Sequence, residues 1–174
     1  MKTTNDHKIE FTIIFNRIKR RLFNYLLKMT SDRLTAEDIS QNVFLKLFEN
    51  FDKIRDKSKT DIWVFKTAKF EVFNFYRGKS VRVDQFGVED SDTLEISSDT
   101  DVLEVIELKD FKEKLEAEIN ILPFDQSEVF VLKEFGGLSY EQISAILEIN
   151  ENLVRSRLHS ARRKLITRLS KALK

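Results

Sequence analysis

Apolar residues return along this chain at intervals of three and four, with charged residues between them. Ile14, Ile18, Leu22, Tyr25, Leu26 and Met29 fall on one stripe, ringed by Arg17, Lys19, Arg20 and Arg21. That spacing predicts an amphipathic helix. Thr35 followed by Asp38 resembles a capping box and predicts the start of a second helix. Its core face carries Ile39, Val43, Phe44, Leu47, Phe48 and Phe51. Its opposite face carries Asp38, Gln41, Asn42 and Glu49, with Leu45 among them. A polar loop over 52–61 separates it from a third helix, which contains "WVFKTAKFEVFNFYRGK" (63–79).

At about 100° per residue this third helix has two faces. Val64, Phe65, Ala68, Val72, Phe75 and Tyr76 form a sufficient core face. Trp63, Lys66, Phe70, Phe73 and Arg77 share another, together with Thr67 and Asn74. Rings mixed with cations suit neither a buried helix nor an ordinary solvated one. They offer faces for base stacking and charges for a phosphate backbone. The competing reading places Trp63 and Phe73 in the core.

Residues 80–101, "SVRVDQFGVEDSDTLEISSDTD", show no clear period and abound in Asp and Ser, which predicts a linker. A helix is expected from about 102 to 121, with Leu108, Phe111, Leu115 and Ile119 as its stripe and Leu122 just beyond. Pro123 can open the next helix at its first position, and Gly136-Gly137 reads as its C-cap. Ser139 with Gln142 makes a capping box for a short helix over Tyr140–Leu147. A turn, "EIN" (148–150), then leads into an Arg-rich helix spaced by Leu153, Val154, Leu158, Ala161, Leu165 and Leu169.

A short capped helix, a three-residue turn and a basic helix form the helix-turn-helix pattern. The second helix of such a pair enters the major groove of DNA. Asn152, Arg155, Ser156, His159 and Ser160 occupy its first turns. Arg155 can offer a fork of donors to guanine. Arg162 and Arg163, like Arg157 and Lys164, are better placed for phosphates, and binding through them weakens with salt. An ordinary amphipathic helix with solvated Arg is the bland alternative.

Composition narrows the options. The 174 residues include only four Gly and one Pro, which favours long helices. There is no Cys, and two distant His make no metal cluster. No cofactor or metal is expected. No run of about 18 apolar residues is present, and the N-terminal stretch lacks the apolar core of a signal peptide, so a cytoplasmic protein is expected. The net charge of +1 hides an uneven layout. Residues 1–79 carry 17 Lys+Arg against 10 Asp+Glu, residues 80–119 carry 4 against 13, and residues 120–174 carry 9 against 6. Two basic lobes flanking an acidic middle point to a polyanionic partner.

Three segments in order carry a family resemblance. "LPFDQSEVFVLKEFGGLSYEQISAILEINENLVRSRLHSARRKL" (122–165) resembles the C-terminal, −35-reading domain of ECF-type (extracytoplasmic function) sigma factors. "LTAEDISQNVFLKLFENF" (34–51) resembles the family's polymerase-docking segment, and the third helix resembles its −10 segment. The resemblance covers about 8–79 and 102–170. It implies an all-α fold of two helical domains joined by a linker: 1–79 resembling sigma region 2, an acidic linker over 80–101, and 102–174 resembling region 4 with the helix-turn-helix.

By that resemblance, Asp38, Gln41, Asn42, Leu45 and Glu49 dock on the β′ clamp of core RNA polymerase. Lys59, Trp63, Lys66, Phe70, Phe73 and Arg77 hold single-stranded −10 DNA, and the loop 55–61 captures a flipped base. Asn152, Arg155, Ser156, His159, Ser160, Arg162 and Arg163 contact −35 DNA. The β subunit, promoter DNA and an anti-sigma factor are the other implied partners. The acidic linker would run through the polymerase. The chain departs from the family pattern at four places: Phe70 where Asn is common, Glu148 where Gly is common, Leu153 for Thr and Ser160 for Arg. These bear on which promoter is read. Rival readings are a helix-turn-helix regulator that binds a palindromic site as a dimer, a helical adaptor, and an enzyme. No nucleophile motif or Gly-rich phosphate loop supports the last.

Overall fold

A computed structural model describes residues 4–86 and 102–172. Seven α-helices and two short 3-10 turns make up its regular elements, with no strand among the described residues. The helices are α1 (Thr4–Thr30), α2 (Arg33–Asn50), α3 (Thr60–Phe86), α4 (Val102–Ile121), α5 (Phe124–Glu134), α6 (Tyr140–Leu147) and α7 (Glu151–Ala172). The all-α expectation holds. The α1, α2 and α3 helices pack on one another to form the first lobe. In the second, α4, α5 and α6 each pack on α7.

The stripes read from the sequence are the core. Ile14, Ile18, Leu22, Tyr25 and Leu26 of α1 are buried against Ile39, Val43, Phe44 and Leu47 of α2. Val64, Phe65, Ala68 and Val72 of α3 close that core, and the Tyr25 ring meets Phe65 edge-on at 5.5 Å. In the second lobe Leu132, Leu138, Ile143, Ile146, Val154 and Leu158 are buried. Some stripe members lie outside. Phe48 is exposed at the end of the α2 face, although its ring meets Phe11 at 5.2 Å. Tyr76, expected in the core, is exposed, and its hydroxyl donates to Met29 O. Leu108 and Phe111 are exposed on α4, and Leu153 is exposed on α7. A helical stripe extends past the last neighbour that could cover it, so periodicity overstates burial at its ends.

Helix ends follow capping chemistry. Ser31 takes a left-handed φ of 54° after α1. Asp32, not Thr35, caps α2: its side chain accepts from Thr35 N at 2.9 Å. The Thr35 hydroxyl, which also donates to this carboxyl, and then the Thr35 N–H hold the Asp32 pKa below its usual value. Pro123 is the N-cap of α5, one position earlier than the first-turn placement expected. Gly137, with φ +62°, reverses the chain after α5. The Ser139–Gln142 capping box forms as read.

The third helix runs on to Phe86, so residues 80–86, expected as linker, are helical. The remainder of that expected linker, 87–101, lies outside the described residues. The loop over 52–61 contains two 3-10 turns, Phe51–Lys53 and Lys57–Lys59. The last two residues expected in the loop, Thr60 and Asp61, instead open α3 and are buried, which the polar composition did not suggest.

The lobes also touch. The α3 helix packs against α6, and α1 against α5, and one hydrophobic cluster runs from α1 to α7. Gly136 allows the approach: a Cβ there would sit 3.1 Å from a Phe65 ring carbon and 2.6 Å from Leu132 O.

Candidate nucleic-acid interface

Four buried residues on one side of α3, Val64, Phe65, Ala68 and Val72, fix the helix's rotation. The rotation turns Lys66, Phe70, Phe73 and Arg77 outward, with Phe70 and Phe73 exposed by 59% and 62%. Rings that open to water while the same helix is well packed elsewhere are not core spill-over. Trp63 is half-buried and packs against the core, so it serves both faces. The face therefore gathers the cations and rings read from the sequence, with Trp63 at its root.

Beside Trp63 lies an open cavity of about 530 Å³, lined by Asn50, Lys53, Ile54, Asp56, Lys59, Ile62, Trp63 and Lys66. Apolar walls with lysines at the rim suit a planar base whose phosphates remain outside. Lys59 is at its edge, within 4.0 Å of Asp56. Asp56 caps its own turn by accepting from Ser58 N at 3.0 Å.

On α2, Asp38, Gln41, Asn42, Leu45 and Glu49 are all exposed. The buried Ile39, Val43 and Leu47 between them set that rotation. Phe48, exposed on the same helix, adds apolar surface that the sequence reading had assigned to the core.

On α7, buried Val154, Leu158, Ala161 and Leu165 turn Asn152, Arg155, Ser156, His159, Arg162 and Arg163 to solvent, with Ser160 half-buried. The turn before α7 is built by Glu148, with φ 57° and ψ 40°, and by Asn150, which accepts from Leu153 N at 2.8 Å. Several arginines of α7 already have partners. Arg155 pairs with Glu151 at 3.1 Å and lies 4.6 Å from the Tyr140 ring centroid, while Arg162 pairs with Glu134. Arg157, read as a phosphate contact, is bound to Asp125 at 3.1 Å.

The sequence reading missed a polar seam between the lobes. Arg21 donates from Nη1 to Asp61 at 2.8 Å, and from Nε and Nη2 to the carbonyls of Gly136 at 2.8 Å and Gly137 at 3.1 Å. Arg17 holds the other Asp61 oxygen. The accepting carbonyls lie just past the C-terminal end of α5, where a cation is favoured. Lys28 pairs with Glu116, Lys66 with Glu148 at 2.6 Å, and Lys69 with Glu128 at 3.7 Å. Glu128 is buried, and desolvation raises its pKa against the pull of Lys69 and Arg157. Nothing local marked these residues, because each pair joins positions at least 40 apart in sequence.

An all-helical protein with a helix-turn-helix in one lobe and an exposed ring-and-cation face on the other has the make-up of a nucleic-acid-binding protein. Comparison with known proteins makes the class particular. The family model "Sigma-70 region 2" matches residues 14–82, and "Sigma-70, region 4" matches residues 112–165. The RNA polymerase sigma factor YlaC of Bacillus subtilis is 25% identical over 166 residues, covering 95% of each chain. The ECF RNA polymerase sigma-E factor of Haemophilus influenzae is 26% identical over 161 residues, covering 89% of this chain and 85% of that one. Among solved structures, the sigma factor RpoE in complex with the anti-sigma factor NepR from Bartonella quintana shares the fold with a TM-score of 0.75. Identity there is 23%, over 92% of this chain and 96% of the other. CnrH in complex with the cytosolic domain of CnrY gives 0.63 at 19% identity, over 92% and 88%.

The chain belongs to the ECF group of the sigma-70 family, whose members are non-enzymatic transcription initiation proteins that bind core RNA polymerase and promoter DNA. No described helix is long and apolar enough to cross a membrane.

Proposed function

We propose that this chain directs core RNA polymerase to a two-part promoter in the cytoplasm. The exposed α2 face of Asp38, Gln41, Asn42, Leu45 and Glu49 docks on the β′ clamp. The α3 face of Trp63, Lys66, Phe70, Phe73 and Arg77, with Lys59 at the neighbouring cavity, holds the separated −10 strand. The first turns of α7 read the −35 duplex: Asn152, Arg155, Ser156, His159 and Ser160 toward the bases, Arg162 and Arg163 toward phosphates. The second lobe also meets the β subunit. An anti-sigma factor is a further proposed partner, in keeping with the two structural neighbours, each captured in a complex.

The chain itself needs no catalytic residue, because the polymerase makes the bonds. Its work is binding, and the strand face derives its energy from stacking, about 1–3 kcal/mol per base. The observation that carries this reading is the exposure of Phe70 and Phe73 beside Lys66 and Arg77 on a helix whose opposite side buries Val64, Phe65, Ala68 and Val72.

The test is reconstitution. Promoters are selected from a random duplex library with core polymerase plus this protein, then transcribed. The expected result is a spaced two-element site and transcripts that require both components. A palindromic site bound without polymerase, or no transcript with core present, would overturn the reading.

A further inference from the structure

The seam between the lobes is polarised. In each cross-lobe polar contact described above, lobe one supplies the cation (Arg21, Lys28, Lys66, Lys69) and lobe two the acceptor: Gly136 and Gly137 carbonyls, Glu116, Glu148 and Glu128. Glu148 stands apart from the others. Its side chain is 74% exposed, so burial does not hold it in place. Its backbone sits at φ 57°, a conformation in which any side chain is disfavoured and glycine is at ease. Yet this strained position carries a carboxylate, and that carboxylate accepts from Lys66 Nζ at 2.6 Å. The hydrogen bond, and then the charge of Lys66, lower the Glu148 pKa, with Lys69 adding to the effect. The residues just before it, Ile146 and Leu147, line a cavity of about 330 Å³ shared with Lys66, Lys69, Phe70 and Phe73. A carboxylate on the cation and aliphatic groups near the rings reproduce, from within the chain, the phosphate and base of a DNA strand.

We propose that Glu148 is an internal latch, which holds the helix-turn-helix turn over the strand-binding face of α3 in the free protein and competes there with DNA phosphate. The proposal rests on the strand-binding role given to α3 above. The rings stay more than half exposed in this closed form, so the competition acts at Lys66 and through the nearness of the turn. A polyanion or high salt releases such a latch, because exposed ion pairs are screened.

The test uses the full chain, which has no native cysteine. Spin labels at Asn16→Cys and Glu141→Cys, both at exposed positions, report the lobe separation by pulsed EPR. Glu148→Gly removes the carboxylate and relieves the turn, so it keeps the fold. Glu148→Lys sets a third cation beside Lys66 and Lys69, and Glu148→Gln keeps the side-chain size. Binding of a fluorescent 20-nucleotide oligo-dT is measured alongside.

The latch predicts one narrow distance in the parent chain and an added longer-distance minority in the Gly and Lys variants, since Arg21, Lys28, Lys69 and the shared hydrophobic cluster still hold the rest of the seam. Oligo-dT affinity should rise about two- to fivefold in the Gly and Gln variants, the scale of one exposed ion pair. Unchanged distances in both the Gly and Lys variants would overturn the proposal, and so would opened lobes without any gain in oligo-dT affinity. Failure of the parent chain to support transcription with core polymerase would overturn the proposed function instead, and it leaves the distance readout intact.

Discussion

Arg21→Ala is the sharpest probe of how the two lobes are held. The guanidinium makes two charge-assisted hydrogen bonds across the seam, to Gly136 O and Gly137 O, and one within lobe one, to Asp61. Hydrogen bonds from charged groups contribute about 1.5–3 kcal/mol each. The low end suits a side chain that is 28% exposed, so the two carbonyl contacts are worth about 3 kcal/mol together. The Asp61 pair adds about 1 kcal/mol after screening, since Arg17 remains on that carboxylate. Freeing the side chain returns about 2 kcal/mol of rotamer entropy. The net loss is about 2 kcal/mol, or roughly 4–8 °C in Tm for a chain of this length.

Thermal and urea unfolding would measure the loss. Hydrogen exchange would localise it, with faster exchange at Leu138, whose amide donates to Leu132 O at 3.3 Å next to the seam. Arg21→Lys should recover less than half, because one ammonium cannot span Asp61 and both carbonyls. Arg20→Ala, an exposed neighbour, should stay within about 0.5 kcal/mol. If Arg21→Ala is no worse than Arg20→Ala, the seam contributes nothing and the reasoning fails.

Three further outcomes are expected. Phe73→Ala should leave Tm within about 1–2 °C, since the ring is 62% exposed, yet reduce open-complex formation about ten- to hundredfold by permanganate footprinting; a matching fall in Tm would return the ring to the core. Gly136→Ala should lower stability by more than about 1 kcal/mol, because the new Cβ meets Leu132 O at 2.6 Å, and an unchanged urea midpoint would contradict this. Burial raises the Glu128 pKa above 4.5, so its share of stability is present below pH 4.5 and is lost as pH rises through the raised value. Glu128→Gln should therefore match the parent near pH 4 and exceed it in Tm near pH 7.5. A less stable Gln variant at pH 7.5 would show that Lys69 and Arg157 outweigh the desolvation.

Much of this protein was legible residue by residue. Helix periodicity gave the buried faces of α1, α2 and α3, and Ser139 with Gln142 gave the start of α6. Rotation about a helix follows from its buried side, so the exposed sets on α2, α3 and α7 followed too. Boundaries were less secure. Asp32 competed with Thr35 for the α2 cap and won because its side chain reaches Thr35 N. Phe48 and Tyr76 had core periodicity but no neighbour to cover them.

The sequence by itself determined the helices, their amphipathic faces and the order of the two lobes, because those depend on residues three or four positions apart. Only the tertiary structure decided which cations are already engaged and how the lobes meet. Arg21 finds Gly136 across 115 positions, and Lys66 finds Glu148 across 82. Such pairs leave no local pattern: each cation or carboxylate reads as an ordinary solvated charge, and each carbonyl as ordinary backbone, until the fold brings its partner within hydrogen-bond reach.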